Sequence, residues 1–101
     1  MTLNFAPGNT SLASRRAAAL DRTKVSAALL SGTPVAVDFS KVESISGSYA
    51  DEFFGMLVVE VGLEKVRSNL RILGAQPYHL EVIAEAMITR QHQLNQIQNA
   101  A

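Results

Sequence analysis

The chain has no cysteine, which excludes disulfides, thiolate metal sites and thiol nucleophiles. It also lacks a charge excess of either sign: nine Lys and Arg balance nine Asp and Glu, for a formal net charge of zero. A protein that grips a duplex neutralises phosphates with a basic surplus, so this balance argues against nucleic acid as the partner. Long apolar runs are missing as well. Met56-Leu57-Val58-Val59 falls far short of a span of about 20 residues, so no membrane role is expected. Residues 1–8 carry neither the basic nor the apolar region of a secretory leader, and the expected compartment is the cytoplasm.

What is present suffices for a core. Hydrophobic residues make up 48% and charged residues 18% of 101 positions. A chain of this size buries roughly 60% of its unfolded surface without covalent staples. One domain over residues 1–101 is the natural expectation. Its last stretch, 91–101, is rich in Gln and Asn and reads as a frayed polar tail.

Three segments read as strands: Leu3-Asn4-Phe5, stopped by Pro7-Gly8; Val35 to Phe39; and Leu70 to Leu73, stopped by Gly74. Asn9, Thr10 and Ser11 offer oxygens to cap a first helix over Leu12 to Leu30. On a wheel, Ala17, Leu20, Val25, Ala28 and Leu29 form its apolar side, with Arg15, Arg22, Thr23 and Ser26 opposite. A second helix starts near Ser48 or Tyr49 and ends or kinks at Gly62. Pro77 opens the last helix, whose stripe of Leu80, Ile83, Met87 and Leu94 includes Arg90. Strands separated by helices predict the α/β class, a small sheet with helices packed against it. So few strands imply one still unrecognised, or a sheet completed by a partner.

The chemistry gathers between Asp38 and Glu52. Ser44, Ser46 and Ser48 lie in a loop from a strand end to a helix start, and Gly47 allows a positive φ there. Ligands of open α/β sheets collect at such strand ends. Ser48, three residues before Asp51, fits an N-cap. A phosphate on it would meet Asp51 and Glu52 as like charges and would loosen an interface rather than build one. Asp51 and Glu52, adjacent on a helix, diverge by about 100° and should face solvent or a partner instead of forming a catalytic pair. Asp38 suits a turn cap. Arg90, on an apolar face, calls for a carboxylate such as Asp38 or Asp51. His79 and His92 read as surface histidines too far apart to share a metal.

Asp38-Phe39, Val42, Ser46, Ser48, Ala50, Asp51, Glu52 and the later Arg90, with Tyr49 in place of a Phe, resemble the pattern of the STAS-like family, small bacterial domains of unknown function. The likeness runs from about Thr33 to Arg90. It implies a STAS-like sheet and similarity to anti-sigma-factor antagonists, signalling proteins with an Asp-Ser-Ser-Gly loop whose second serine is phosphorylated by a GHKL-type kinase. By position Ser48 matches that phosphoacceptor, whereas Ser46, Gly47 and Tyr49 differ from the other three loop residues. The implied function is non-enzymatic: a regulatory protein-interaction module that docks a GHKL-type ATPase or kinase through Ser44, Ser46, Gly47, Ser48, Tyr49, Asp51 and Glu52. No Gly-rich phosphate loop, metal-binding His pair or Ser-His-Asp set is present, so no cofactor and no metal are expected. Two alternatives stay open. One is a nucleotide or small-anion binder using Arg15 or Arg90. The other is a homodimer or larger assembly built through apolar helix faces, with Leu94, Ile97 and the tail extending the contact.

Overall fold

In a computed structural model, which describes residues 1–99, strand β3 (Val35–Asp38) lies at the centre of a three-stranded parallel sheet. Its first three residues, Val35, Ala36 and Val37, are all buried, as a continuous apolar run in a parallel sheet should be. On one side it pairs with β1 (Leu3–Phe5), Leu3 opposite Val35 and Phe5 opposite Val37. On the other it pairs with β5 (Leu70–Leu73), Val35 opposite Leu70 and Val37 opposite Ile72. This register turns Leu3, Phe5, Val35, Val37, Leu70 and Ile72 toward one face, where the helices pack. The opposite face carries Asn4, Ala36, Asp38, Arg71 and Leu73 and stays open.

Two further strands, β2 (Ser11–Leu12) and β4 (Ser44–Ile45), form a separate parallel pair. They supply the pairing that the sequence left unrecognised. Each is two residues long, too short for a period to register, and both are held by long-range backbone bonds. Glu43 N–H donates to Thr10 O at 2.7 Å and Ser46 N–H to Leu12 O at 2.8 Å.

Helix α1 runs from Arg15 to Leu30 and starts later than expected. Its cap is Ser14, whose Oγ accepts from Ala17 N–H at 3.0 Å, and not Asn9, Thr10 or Ser11, because Ser11 is already in β2. It ends in a six-to-one turn: Gly32 takes φ 83° and Thr33 N–H reaches Ala28 O at 2.8 Å. Of its expected apolar side, Val25 and Leu29 are buried and Ala17 and Ala28 pack against the core. Leu20 departs from it at 69% exposure, and Ser26, expected on the polar side, is buried, as is Ala18.

The next helical stretch is continuous but not uniform. Helix α2 (Gly47–Ala50) passes into a π-helical turn (Asp51–Gly55) and then into α3 (Met56–Val61). Gly62, at φ 97°, breaks it before α4 (Leu63–Asn69). Helix α5 (Pro77–Asn99) closes the fold and continues through Gln91 to Asn99, where fraying was expected. Gln91 bonds Asn95 one turn on at 2.9 Å.

The core sits between sheet and helices, and aromatic rings fill it. Phe53 stacks on Tyr49 at 5.8 Å and meets Phe54 at 4.5 Å, while Phe39 meets Phe54 edge-on at 6.1 Å. His79, expected at the surface, is fully buried against Phe39. Gln76 precedes α5 and His79 is its third residue, so the ring reaches back like the glutamate of a capping box. Nδ1 accepts from Gln76 N–H at 3.0 Å, which leaves Nε2–H to donate to Glu43 O at 3.2 Å.

Candidate functional site: a serine turn braced by arginines

The β4-to-α2 turn is built by Ser46. Its Oγ accepts from Tyr49 N–H at 3.0 Å and donates to Ala13 O at 2.9 Å, fastening the helix start to the chain entering α1. Ser46 is therefore the N-cap, and Ser48 is not: Ser48 lies inside the helix, exposed, and its side chain bonds no other described residue. Ser44, also exposed, shares a 3.1 Å hydrogen bond with Ser11. Gly47 has no positive φ, contrary to the expectation, and a Cβ there would meet open space. Tyr49, grouped with the contact residues on sequence grounds, points inward with 1% exposure, and its hydroxyl donates to Asp21 Oδ2 at 2.7 Å. Burial, and then that carboxylate, push the Tyr49 hydroxyl well above the usual phenol range.

Asp51 and Glu52 do not face open solvent as a simple helix predicted. Arg90, from α5, clasps Asp51 through Nε to Oδ1 and Nη2 to Oδ2, both at 2.7 Å. Arg15, from α1, donates to the same Asp51 at 2.8 Å and lies 3.5 Å from Glu52. Arg22 joins Glu52 Oε2 at 2.7 Å and Glu60 Oε1 at 2.6 Å. Three arginines thus meet three carboxylates across α1, the central helix and α5. The Arg90 hydrogen bonds, supported by Arg15, hold the Asp51 carboxyl down at about 2. Asp51 and Glu52 are consequently offset charges, and the repulsion expected to greet a phosphate on Ser48 is largely neutralised.

The π turn makes this bracing necessary. Met56 N–H bonds Asp51 O and Phe53 O, so Glu52 O loses the donor that an α-helix would give it. Arg22 Nη1 supplies the replacement. The wider turn also lets the neighbours Phe53 and Phe54 both reach the core. Gly55 is the matching close approach, since a Cβ there would stand 2.9 Å from Arg90 Cγ and 2.9 Å from Asp51 Oδ1.

Asp38 lies apart from this cluster. Its Oδ1 accepts from Ser40 N–H at 2.9 Å, and that backbone bond lowers its pKa. His92 and His79 are not brought together, and among the described residues no group of three or more His, Asp or Glu is placed to hold a metal. Between the start of α2 and α5 lies an open groove of about 360 Å³, lined by Gly47, Asp51, Val82, Glu85, Ala86 and Thr89. Its α5 side was missed by sequence reasoning, because Val82, Glu85 and Thr89 fall outside the apolar stripe that drew attention to that helix.

A parallel α/β domain whose strand-to-helix turn carries an exposed serine over an arginine–carboxylate brace is the class defined by this geometry. Residues 21–80 match the family described as a STAS-like domain of unknown function, and the chain belongs to it. No curated protein and no solved structure matches the chain. Among the described residues, no helix is long and apolar enough to cross a membrane.

Proposed function

We propose that the chain is a cytoplasmic, non-enzymatic regulatory module that binds a protein partner through the serine turn, and that a GHKL-type kinase switches it by phosphorylating Ser48. The contrast between two serines carries this reading. Both faces of the Ser46 hydroxyl are committed to the fold, whereas Ser48 is exposed and bonds no other described residue. A kinase can therefore take Ser48 without dismantling the turn.

In that reaction the Ser48 oxygen attacks the γ-phosphorus of ATP, its proton passes to a base on the kinase, and ADP leaves. The module contributes the acceptor alone. The new charge of about −2 lies one helical turn before Asp51 and Glu52. Arg90 holds Asp51 at two points, so Arg15, 52% exposed in its side chain, is the cation that can swing toward the phosphate. A phosphate there reorganises the turn's outer surface while Arg90 keeps its inner anchorage.

The carboxylates support a non-enzymatic reading. A group held at about 2 by an arginine clasp is a poor proton shuttle near neutrality. The nucleotide-binding alternative loses support for a related reason, because Arg90 is held at two points by Asp51 and only Arg15 is left to meet a phosphate.

The test is phosphate transfer from a GHKL-type kinase of the same cell, followed by retention of that kinase on immobilised protein. Wild type and Ser46→Ala should accept phosphate, Ser48→Ala should not, and Ser48→Asp should alter retention. No transfer, together with equal retention of wild type and Ser48→Asp, would remove the proposal.

A further inference from the structure

Net neutrality hides a separation of charge. Most carboxylates are engaged within the fold: Asp51, Glu52, Glu60 and Glu64 in ion pairs, Asp21 by Tyr49 and Asp38 by a backbone N–H. Glu43, Glu81 and Glu85 are exposed and form no ion pair with a described residue. All three border one region. Glu85 lines the groove, Glu81 lies one turn before it on α5, and the Glu43 carbonyl is bonded by Tyr78 and His79 at the start of the same helix. The groove's apolar floor is Val82 and Ala86, and Gly47 leaves its mouth open.

The outer side of α1 has the opposite character. Arg16 and Lys24 are exposed and form no ion pair with a described residue, and Leu20, 69% exposed, stands midway between them. At 1.5 Å per residue, Leu20 lies about 6 Å along the helix from each cation. The two cations are thus about 12 Å apart along α1 and Glu81 and Glu85 about 6 Å apart along α5, a difference that the long Arg and Lys side chains span by reaching inward. An apolar side chain between two cations thus faces a pocket with an apolar floor beside two anions.

We propose that α1 of one copy docks in the groove of another, with Leu20 over Val82 and Ala86 and with Arg16 and Lys24 against Glu85 and Glu81. Strip and groove flank the central helical stretch on separate helices, so a copy cannot satisfy its own groove. The contact is head-to-tail and can grow into a ring or short chain. It is small and charge-led, hence weak and salt-sensitive. It does not depend on modification of Ser48, although the docked helix would lie beside that residue.

Sedimentation of the full chain from about 10 μM to about 1 mM tests this over the range of a weak contact. Mean mass should rise with concentration at low salt, and the association should weaken by about tenfold in about 0.5 M salt, where the Debye length falls to about 4 Å from about 10 Å at 0.1 M. Glu85→Lys alone and Arg16→Glu alone should stay monomeric while keeping wild-type circular dichroism. Mixing the two should restore association, because every strip then meets a groove of opposite charge. Wild type that stays monomeric at the highest concentration, variants that associate like wild type, or a mixture that stays monomeric would each overturn the proposal. No kinase enters the measurement, so its outcome is separate from that of the phosphorylation test.

Discussion

Arg90 and Asp51, 39 positions apart in the chain, form a two-point contact with both bonds at 2.7 Å. The pair ties α5 to the π turn at the place where the helix departs from regular bonding. Arg22 does the complementary task from α1, satisfying the Glu52 carbonyl that the π turn releases. The π turn that follows Ser48 is thus held from both sides by side chains where its own ladder is interrupted. A surface held in this way can be altered by changing one charge without unfolding the core.

Acid should weaken this brace. Asp51 has a folded pKa of about 2, below the usual carboxylate value near 3.8. Its contribution is therefore complete above the unfolded pKa and is lost as pH falls through about 2. With allowance for solvent screening, that contribution is about 1–2 kcal/mol. Denaturant titrations at pH 6 and pH 2.5 should show wild type losing more stability than Asp51→Asn, and parallel losses would refute this role for Asp51.

Gly55 should resist even the smallest side chain. A methyl group there meets both Arg90 Cγ and Asp51 Oδ1 at 2.9 Å and Ala86 O at 3.4 Å. Gly55→Ala would ordinarily favour a helix by about 1 kcal/mol. Here overpacking should reverse the sign, with a net loss of about 1–3 kcal/mol. Thermal melts of Gly55→Ala and of Gly55→Ala with Arg90→Ala separate the causes. The double variant should lose less than the sum of the singles, since removing the Arg90 side chain opens the space.

The three main strands were legible because each places apolar residues at alternate positions and ends at, or is followed closely by, a Pro, Gly or Asp, so a period of two survives in three or four residues. The partner carboxylate of Arg90 was legible too, because an arginine on an apolar stripe needs an acid. Three features were not. The cap was expected at Ser48, but serines recur at 44, 46 and 48, and only the position of Tyr49 N–H selects Ser46. The π turn has no residue signature of its own. Its trace is the adjacent pair Phe53 and Phe54, which a regular helix would not bury equally. His79 was misjudged because its burial depends on Gln76 and Glu43, whose backbone groups reach it only in the folded chain.

Replacing His79 should show that its ring is structural. His79→Phe keeps most of the volume against Phe39 but strands Gln76 N–H and leaves Glu43 O with Tyr78 as its one partner. Leaving such a donor without a partner costs about 1–3 kcal/mol when buried. A loss of about 1–3 kcal/mol in denaturant unfolding is expected. His79→Gln, which can offer both a donor and an acceptor, should recover part of it, and a Phe variant as stable as wild type would contradict the bonding described.

The two serines give the sharpest separation between fold and surface. Ser46→Ala removes the acceptor for Tyr49 N–H and the donor to Ala13 O together. An N-cap alone is worth about 1 kcal/mol, and the second bond should raise the loss to about 1.5–2.5 kcal/mol. Ser48→Ala breaks no hydrogen bond to a described residue and replaces an exposed helical serine by a better helix former. Its stability should therefore match wild type within about 0.5 kcal/mol. Parallel chemical denaturation of the two variants measures both changes. Equal losses would mean that Ser48, too, is committed to the fold, and the freedom of its hydroxyl, on which phosphorylation at this turn depends, would be gone.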